Sequence, residues 1–173
     1  MSTTLYDAER AAQNLLSRIW WHSPDGSGPL PIDPFKIAQR LGIRVESSKL
    51  PPDQSGKLII MDEEAVITLN RADHTNRQQF TCAHEIGHYL RRRQGVPGDR
   101  YVDYRGTLAG LGDDPEEIFA NQFAAALLMP AHLVRQWHER GVTPQHMAQD
   151  LDTSTQAMQI RLKNLRLRPP RDG

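Results

Sequence analysis

The sequence has little of what marks a secreted or membrane-spanning protein. Its 173 residues include one cysteine, Cys82, so no disulfide can form within the chain. No apolar run approaches the roughly 18 residues that a transmembrane helix needs. The first residues do not combine a basic segment with a following apolar one, as a secretory signal would. We therefore expect a soluble, cytoplasmic protein that makes no membrane contact.

The chain also lacks net charge, because 21 lysine and arginine residues balance 21 aspartate and glutamate residues. Net charge therefore argues neither for nor against a polyanionic partner. The distribution is uneven, since the segment from Ser154 onward contains five basic residues and one acidic residue. The length is sufficient for one compact domain with its own hydrophobic core.

Periodicity and turn residues predict an α+β fold. The β-rich runs 57–61 and 65–69 are separated by an acidic turn and indicate a hairpin, and residues 43–46 add a short strand. The glycine-rich stretch 94–114 is interpreted as a long loop, which in a compact domain is often functional. Helical spacing predicts helices over 7–21, 34–41, 73–93, 115–129, 131–140, 144–151 and 154–165.

The 73–93 helix contains the pentapeptide His84-Glu85-Ile86-Gly87-His88. At 100° per residue the two histidines lie about 40° apart on one face, so both imidazoles can reach one metal ion. Glu85 lies close enough to act on a water at the ion without being a ligand. Such a pentapeptide recurs by chance on solvated helices, but apolar residues surround this one, and a buried metal-binding helix is the better interpretation. Gly87 would leave room for another backbone or a substrate strand.

A catalytic zinc site usually has three protein ligands, so a third is expected downstream. Arg91 and Gln94 stand where an extended motif would have glycine and histidine, which excludes that subclass. Glu116 and Glu117 are the candidates. Glu117 shares a helix face with Asn121, which is placed to hydrogen-bond a ligand histidine. Glu116 is turned about 100° away and is explained by the positive end of the helix dipole, so the pattern favours Glu117.

Both helices resemble the ImmA/IrrE family of bacterial and mobile-element metallopeptidases. The resemblance rests on the segments FTCAHEIGHYL (80–90) and EIFANQFAAALLMP (117–130). It extends to Ile67-Thr68-Leu69-Asn70 and to Ala157-Met158 with Arg161-Leu162. Phe119 is a departure, because the family often has a second glutamate there. The resemblance covers most of the chain.

The resemblance implies a zincin-like fold, in which a small antiparallel or mixed sheet packs on the HExxH helix and on a second, glutamate-bearing helix. It implies zinc ligands at His84, His88 and Glu117 and a catalytic glutamate at Glu85. Asn121 would support a ligand histidine. Zn²⁺ is the expected cofactor, with Mn²⁺ able to replace it in vitro.

The resemblance also implies an endopeptidase that cleaves a helix-turn-helix repressor and so switches on stress-response or mobile-element genes. No repressor-like domain is fused at this N-terminus, so we expect the substrate to be a separate protein. Peptide hydrolysis also needs a donor that stabilises the oxyanion. The eligible residues are Tyr101, Tyr104, Arg105 and His132.

The segment 141–173 raises an alternative, because Pro144–Leu151 and 154–165 have the pattern of a helix-turn-helix with Asp152 in the turn. Thr153 and Gln156 form a capping-box pair. The second helix carries polar and basic residues that could contact DNA, namely Gln156, Gln159, Arg161 and Lys163. The chain would then be a regulatory protein that binds DNA or a repressor without proteolysis. A single motif with few basic residues binds DNA weakly, so we favour a peptidase core at 1–140 with 141–173 packed on it.

Overall fold

A computed structural model describes residues 3–21, 28–62, 64–93, 101–102 and 114–167. Within these ranges the elements have the α+β order that the sequence predicts, with two helices, then three consecutive strands, then mostly helices. The elements are α1 (Thr3–Ile19), α2 (Pro34–Arg40), β1 (Ile43–Ser48), β2 (Gly56–Met61), β3 (Glu64–Asn70), α3 (Thr75–Arg93), β4 (Tyr101–Val102), α4 (Pro115–Leu128), α5 (Ala131–Glu139), α6 (Pro144–Asp150) and α7 (Thr155–Asn164).

The strands form one mixed sheet in the order β1-β3-β2-β4. The predicted hairpin is confirmed, since β2 and β3 pair antiparallel with Leu58 opposite Ile67. β1 pairs in parallel with β3, and β4 pairs antiparallel with β2. The loop predicted over 94–114 was wrong at residues 101–102, because a two-residue strand is too short for any periodicity to reveal. The rest of that loop, 94–100 and 103–113, lies outside the described residues.

Helix α3 lies at the centre of the fold and packs on the sheet on one side and on α4 on the other. Leu58 and Ile67, paired across the hairpin, are fully buried on the sheet. The stretch Thr81–Tyr89 of α3 is buried without interruption, including its polar residues. A helix that is covered on two sides buries residues around most of its circumference, which is why polar as well as apolar residues of α3 are buried.

Side-chain caps fix where several helices begin. The Asp33 carboxylate accepts hydrogen bonds from the backbone N–H groups of Phe35 and Lys36, so the predicted start of α2 is confirmed. At α7 the cap is Ser154, whose Oγ accepts from the backbone N–H of Ala157 at 3.0 Å. The capping-box pair predicted from Thr153 was therefore wrong by one position.

The C-terminal helices are tied to the rest of the chain by polar contacts, some of them buried. Arg161 is 2% exposed, and its Nε donates to the carbonyl of Met129 at 2.9 Å. Its guanidinium also pairs with the carboxylate of Glu9 on α1. Gln79 on α3 donates to the Asp152 carboxylate in the turn between α6 and α7 at 2.7 Å. These contacts join residues from α1, α3 and the end of α4 to the helix-turn-helix-like segment.

In the ranges that the structure describes, no helix has both the length and the apolar character that crossing a bilayer requires.

Candidate metal centre

His84 and His88 lie on the face of α3 that meets α4, one helical turn apart. They are 6% and 3% exposed, so both imidazoles are removed from bulk water. Their Nε2 atoms are 3.0 Å apart and the ring centroids are 4.7 Å apart. The two rings therefore direct a nitrogen each at the same small volume.

Glu117 completes this group from α4. Its carboxylate is 3.3 Å from His84 Nε2 through one oxygen and 3.1 Å from His88 Nε2 through the other. The residue is 6% exposed. Glu117 occupies the third position of the helix, after the N-cap Asp114 and the prolyl residue at position 115. The two helices run antiparallel here, since His84 meets Asn121 while His88 meets Glu117.

Asn121 determines which nitrogen of His84 faces the cluster. The side-chain oxygen of Asn121 lies 3.0 Å from His84 Nδ1. An amide oxygen only accepts hydrogen bonds, so Nδ1 of His84 carries the proton. In the neutral ring Nε2 then presents a lone pair toward Glu117 and His88. This is the form in which an imidazole binds a metal.

The donor set and its spacing fit a divalent transition metal. Two imidazole nitrogens and a carboxylate oxygen, one from each residue, lie within 4.8 Å of one another. Donors at about 2.0–2.1 Å from a tetrahedral zinc ion are separated from each other by about 3.3 Å. The two Nε2 atoms, 3.0 Å apart, are near that separation, and each lies a similar distance, 3.3 and 3.1 Å, from a different oxygen of the Glu117 carboxylate. The same set of three also leaves a fourth coordination position for substrate or water, as catalytic zinc sites require.

The electrostatics of the cluster keep its carboxylate ionised. The imidazoles of His84 and then His88, which lie within hydrogen-bonding distance of its carboxylate, hold the pKa of Glu117 well below its usual range, against the opposing effect of burial. Cys82 behaves in the opposite way, because burial, followed by the charge of Glu85, raises the pKa of its thiol. Cys82 lies outside the group of donor residues that the fold brings together, although it is two residues from His84.

Glu85 and Gly87 lie between the two histidines in the sequence of α3, and both are buried. Glu85 is 5% exposed and adjacent to His84, so a second carboxyl group lies within the same buried region. A Cβ atom at Gly87 would be 3.0 Å from Cδ1 of Phe123 and 3.3 Å from Cα of Ala120. The glycine therefore allows α4 to approach α3 closely. The sequence predicted that Gly87 leaves room for another backbone or for a substrate strand. The structure shows the first of these, the backbone of α4.

Glu116 points away from the cluster, as the helical phase predicts. Its carboxylate accepts from Arg91 Nη2 at 2.7 Å. Sequence reasoning gave Arg91 no role here beyond excluding an extended motif. Arg91 follows His84 by seven residues, which places it on the same helix face. That spacing was the sequence signal that could have placed Arg91 beside the cluster.

The predicted oxyanion donors are not brought together among the described residues. His132 lies at the start of α5, with its ring edge-on to Trp21 at 4.9 Å between centroids. Tyr101 is in β4, where the backbone is described and the side chain is not. Tyr104 and Arg105 lie outside the described residues.

Comparisons with known proteins agree on a family and a fold. A search of curated proteins finds no match. Among solved structures, the chain is similar to one titled "Mycobacterium tuberculosis transcriptional regulator", with a TM-score of 0.61 and 14% identity. The alignment covers 91% of this chain and 46% of that one, so the chain spans about half the length of that structure. At this identity the likeness shows the fold alone.

A family model, described as the IrrE N-terminal-like domain, Peptidase M78, matches residues 38–163. The match includes both histidines, Glu85, Glu117 and Asn121, and it covers well over half of the chain. The mixed sheet, the two packed helices and the buried His84, His88 and Glu117 group are those of a zincin-like fold. The chain belongs to the IrrE N-terminal-like domain family, Peptidase M78.

Proposed function

We propose that this chain is a zinc-dependent, site-specific endopeptidase. Its substrate would be a separate helix-turn-helix transcriptional repressor, whose cleavage derepresses stress-response or mobile-element genes. The metal would be held by His84, His88 and Glu117, with Zn²⁺ as the resident ion and Mn²⁺ as a replacement in vitro.

The observation that carries the proposal is the convergence of two imidazole nitrogens and a carboxylate in a buried volume. Asn121 accepts a hydrogen bond from Nδ1 of His84, so Nε2 of the same ring carries a lone pair. That lone pair faces the ionised carboxylate of Glu117 at 3.3 Å and the imidazole of His88 at 3.0 Å. A lone pair and a carboxylate that face each other away from water repel unless a proton or a metal cation lies between them. A metal ion provides that charge without requiring either histidine to be protonated.

Glu85 is the residue that we assign to proton transfer. A divalent zinc ion at this site supplies a Lewis acid that polarises a carbonyl and acidifies water. Glu85 accepts a proton from the attacking water and delivers it to the leaving amine, as a general base and then a general acid. A structural metal site has no need for an acid at that position. Its burial beside His84 therefore supports an enzyme over a purely structural zinc protein.

The oxyanion donor remains one of Tyr101, Tyr104, Arg105 and His132. The ring of His132 packs against Trp21. A catalytic His132 would therefore have to stabilise the oxyanion while keeping this packing contact. The two tyrosines and Arg105 lie in or beside the segment that connects α3 to α4. Replacing each in turn and comparing kcat at unchanged zinc content would assign the role.

We also propose that residues 141–173 are an extension packed on the peptidase core of residues 1–140. The contacts of Arg161 with Glu9 and with Met129 support this assignment. They also weaken the alternative, a regulatory protein that acts on DNA or a repressor without proteolysis. Arg161 is one of the four residues predicted to contact DNA, and its guanidinium is engaged inside the protein. Gln156, Gln159 and Lys163 are exposed and available to a partner.

The test is co-expression with a candidate substrate, a helix-turn-helix regulator from the same genome. Wild type should cleave the regulator, and Glu85→Gln should lower cleavage by about 10²–10⁴-fold while retaining zinc, because the amide cannot accept the proton. Glu139→Gln, the same change at an exposed helical glutamate, is the matched control and should cut normally. Cleavage by Glu85→Gln at the wild-type rate would reject its role, and no cleavage by zinc-loaded wild type would reject this regulator as substrate.

A further inference from the structure

One of the three residues of the metal centre lies where a helix is least anchored. Glu117 is in the first turn of α4, whose backbone N–H groups have no carbonyl partner within the helix. Helix ends fray, so a ligand in a first turn is held less firmly than His84 and His88 in the middle of α3. Within the turn, Asp114 accepts a hydrogen bond from the backbone N–H of Glu116 at 3.0 Å. That bond closes the turn but does not attach it to α3.

Arg91 makes that attachment. Its Nη2 donates to one carboxylate oxygen of Glu116 at 2.7 Å, and its Nε lies 3.5 Å from the other. The guanidinium carbon is 4.8 Å from the centroid of the Phe119 ring, within the range of a cation–π contact. Phe119 is 3% exposed and so provides a fixed surface. The hydrogen bond with Glu116 also raises the pKa of Arg91.

The two contacts of Arg91 bracket the metal ligand. Glu116 immediately precedes Glu117 and Phe119 follows it by two positions, so the guanidinium holds the turn on both sides of the ligand. Arg91 itself follows His84 by seven residues and His88 by three, which puts it on the same face of α3. The part of α3 that carries the histidines and the part of α4 that carries the carboxylate are thereby joined directly.

We propose that Arg91 is a positioning residue, which fastens the first turn of α4 to α3 and so keeps Glu117 within reach of both histidines. The proposal rests on the metal centre proposed above. It extends that centre to an ion pair that touches none of the three donors. Phe119, which departs from the family resemblance, gains a use as the surface on which Arg91 rests.

A positioning role and a merely stabilising role give different results. The side chains of Arg91 and Glu116 are 35% and 42% exposed, and exposed ion pairs contribute little to folding. Removing the pair should therefore change the unfolding of the metal-free protein little. It should weaken zinc binding, because the metal-free ensemble then samples positions of Glu117 that cannot bind the ion.

The experiment measures the zinc dissociation constant of the full chain by competition with a chromophoric chelator, with thermal unfolding of the metal-free protein alongside. Arg91→Ala should bind zinc roughly 3- to 30-fold more weakly, the equivalent of one ion pair and one cation–π contact. Arg91→Lys should recover part of the affinity, because it restores the charge without the planar two-pronged donor. Arg18→Ala removes an exposed arginine from the last turn of α1 and should bind zinc as wild type does.

The double variant Arg91→Ala/Glu116→Ala identifies the route of the effect. If Arg91 acts mainly through Glu116, the double variant binds zinc about as weakly as Arg91→Ala alone. Wild-type affinity in Arg91→Ala, or losses that simply add in the double variant, would overturn the positioning role. If Arg91→Ala does not fold, Arg91→Lys and Glu116→Ala provide the same comparison. Folded wild type that binds no zinc would instead overturn the metal centre itself, and the positioning role with it.

Discussion

The close approach of α3 and α4 at Gly87 gives a quantitative prediction. Replacing Gly87 with alanine adds one methyl group between the two helices that carry the metal centre. That methyl would be 3.0 Å from Cδ1 and 3.3 Å from Cγ of Phe123, and 3.3 Å from Cα of Ala120. The Phe123 ring is fully buried and stacked on Phe119, so it has little freedom to turn away. The contact with Ala120 is with backbone, so α4 itself must shift.

The expected change in stability is the difference between two effects of opposite sign. Adding a methylene-sized group to a tightly packed contact costs about 1–3 kcal/mol. Alanine in place of glycine inside a helix returns about 1 kcal/mol. Gly87→Ala should therefore be less stable by about 1 kcal/mol, which for a chain of this length lowers the Tm by about 2–4 °C. Zinc affinity should fall as well, since a shift of α4 moves Glu117 away from His84.

Thermal unfolding of metal-free wild type and Gly87→Ala measures the first effect, and chelator competition measures the second. The pair Asn14→Gly and Asn14→Ala, at an exposed position in the middle of α1, gives the propensity difference on its own. If Gly87→Ala were stabilised as much as that pair indicates, with unchanged zinc affinity, the close packing inferred at Gly87 would be refuted.

Three further predictions concern the support of the metal centre. Asn121→Ala should weaken zinc binding, measured by chelator competition, by about 10–100-fold, because His84 loses the partner that fixes its tautomer. Asn121→Asp keeps a hydrogen-bond acceptor and should lose less zinc affinity. Arg161→Ala should lower the free energy of unfolding in urea by about 2–4 kcal/mol, since it leaves Glu9 and the carbonyl of Met129 without this partner. A loss below about 1 kcal/mol would contradict the role of Arg161 in joining the C-terminal helices to the core. Chelation of zinc should lower the Tm, because free zinc at 100 times the dissociation constant adds about 2.7 kcal/mol to the free energy of unfolding. An unchanged Tm would argue against zinc binding to the folded chain.

Local signals in the sequence were sufficient for the elements around the site. The pentapeptide on an apolar helix predicted α3, and turn residues predicted the β2–β3 hairpin. The phase of α4 separated Glu117 from Glu116, because helical geometry alone decides which of two adjacent residues shares a face with Asn121. The hydrogen bond between Asn121 and His84 follows from the same geometry once the two helices are packed.

Contacts between distant parts of the chain were beyond local reasoning. Arg161 and Glu9 are separated by 152 positions, and nothing in either segment identifies the other as its partner. β4 is defined by its pairing with β2, which a two-residue segment does not encode by itself. The pairing of Arg91 with Glu116 depends on how closely the two helices approach, and that distance is set by Gly87, Ala120 and Phe123 together.

The most direct test of the central claim is the zinc content of three purified variants. At protein concentrations far above the dissociation constant, wild type should contain one zinc ion per chain by elemental analysis, since the site has one set of three donors. Glu117→Ala should lose most of that zinc, and Glu116→Ala, which changes the adjacent carboxylate, should retain it. Wild type without zinc, or loss of zinc from Glu116→Ala with retention in Glu117→Ala, would contradict the proposed metal centre.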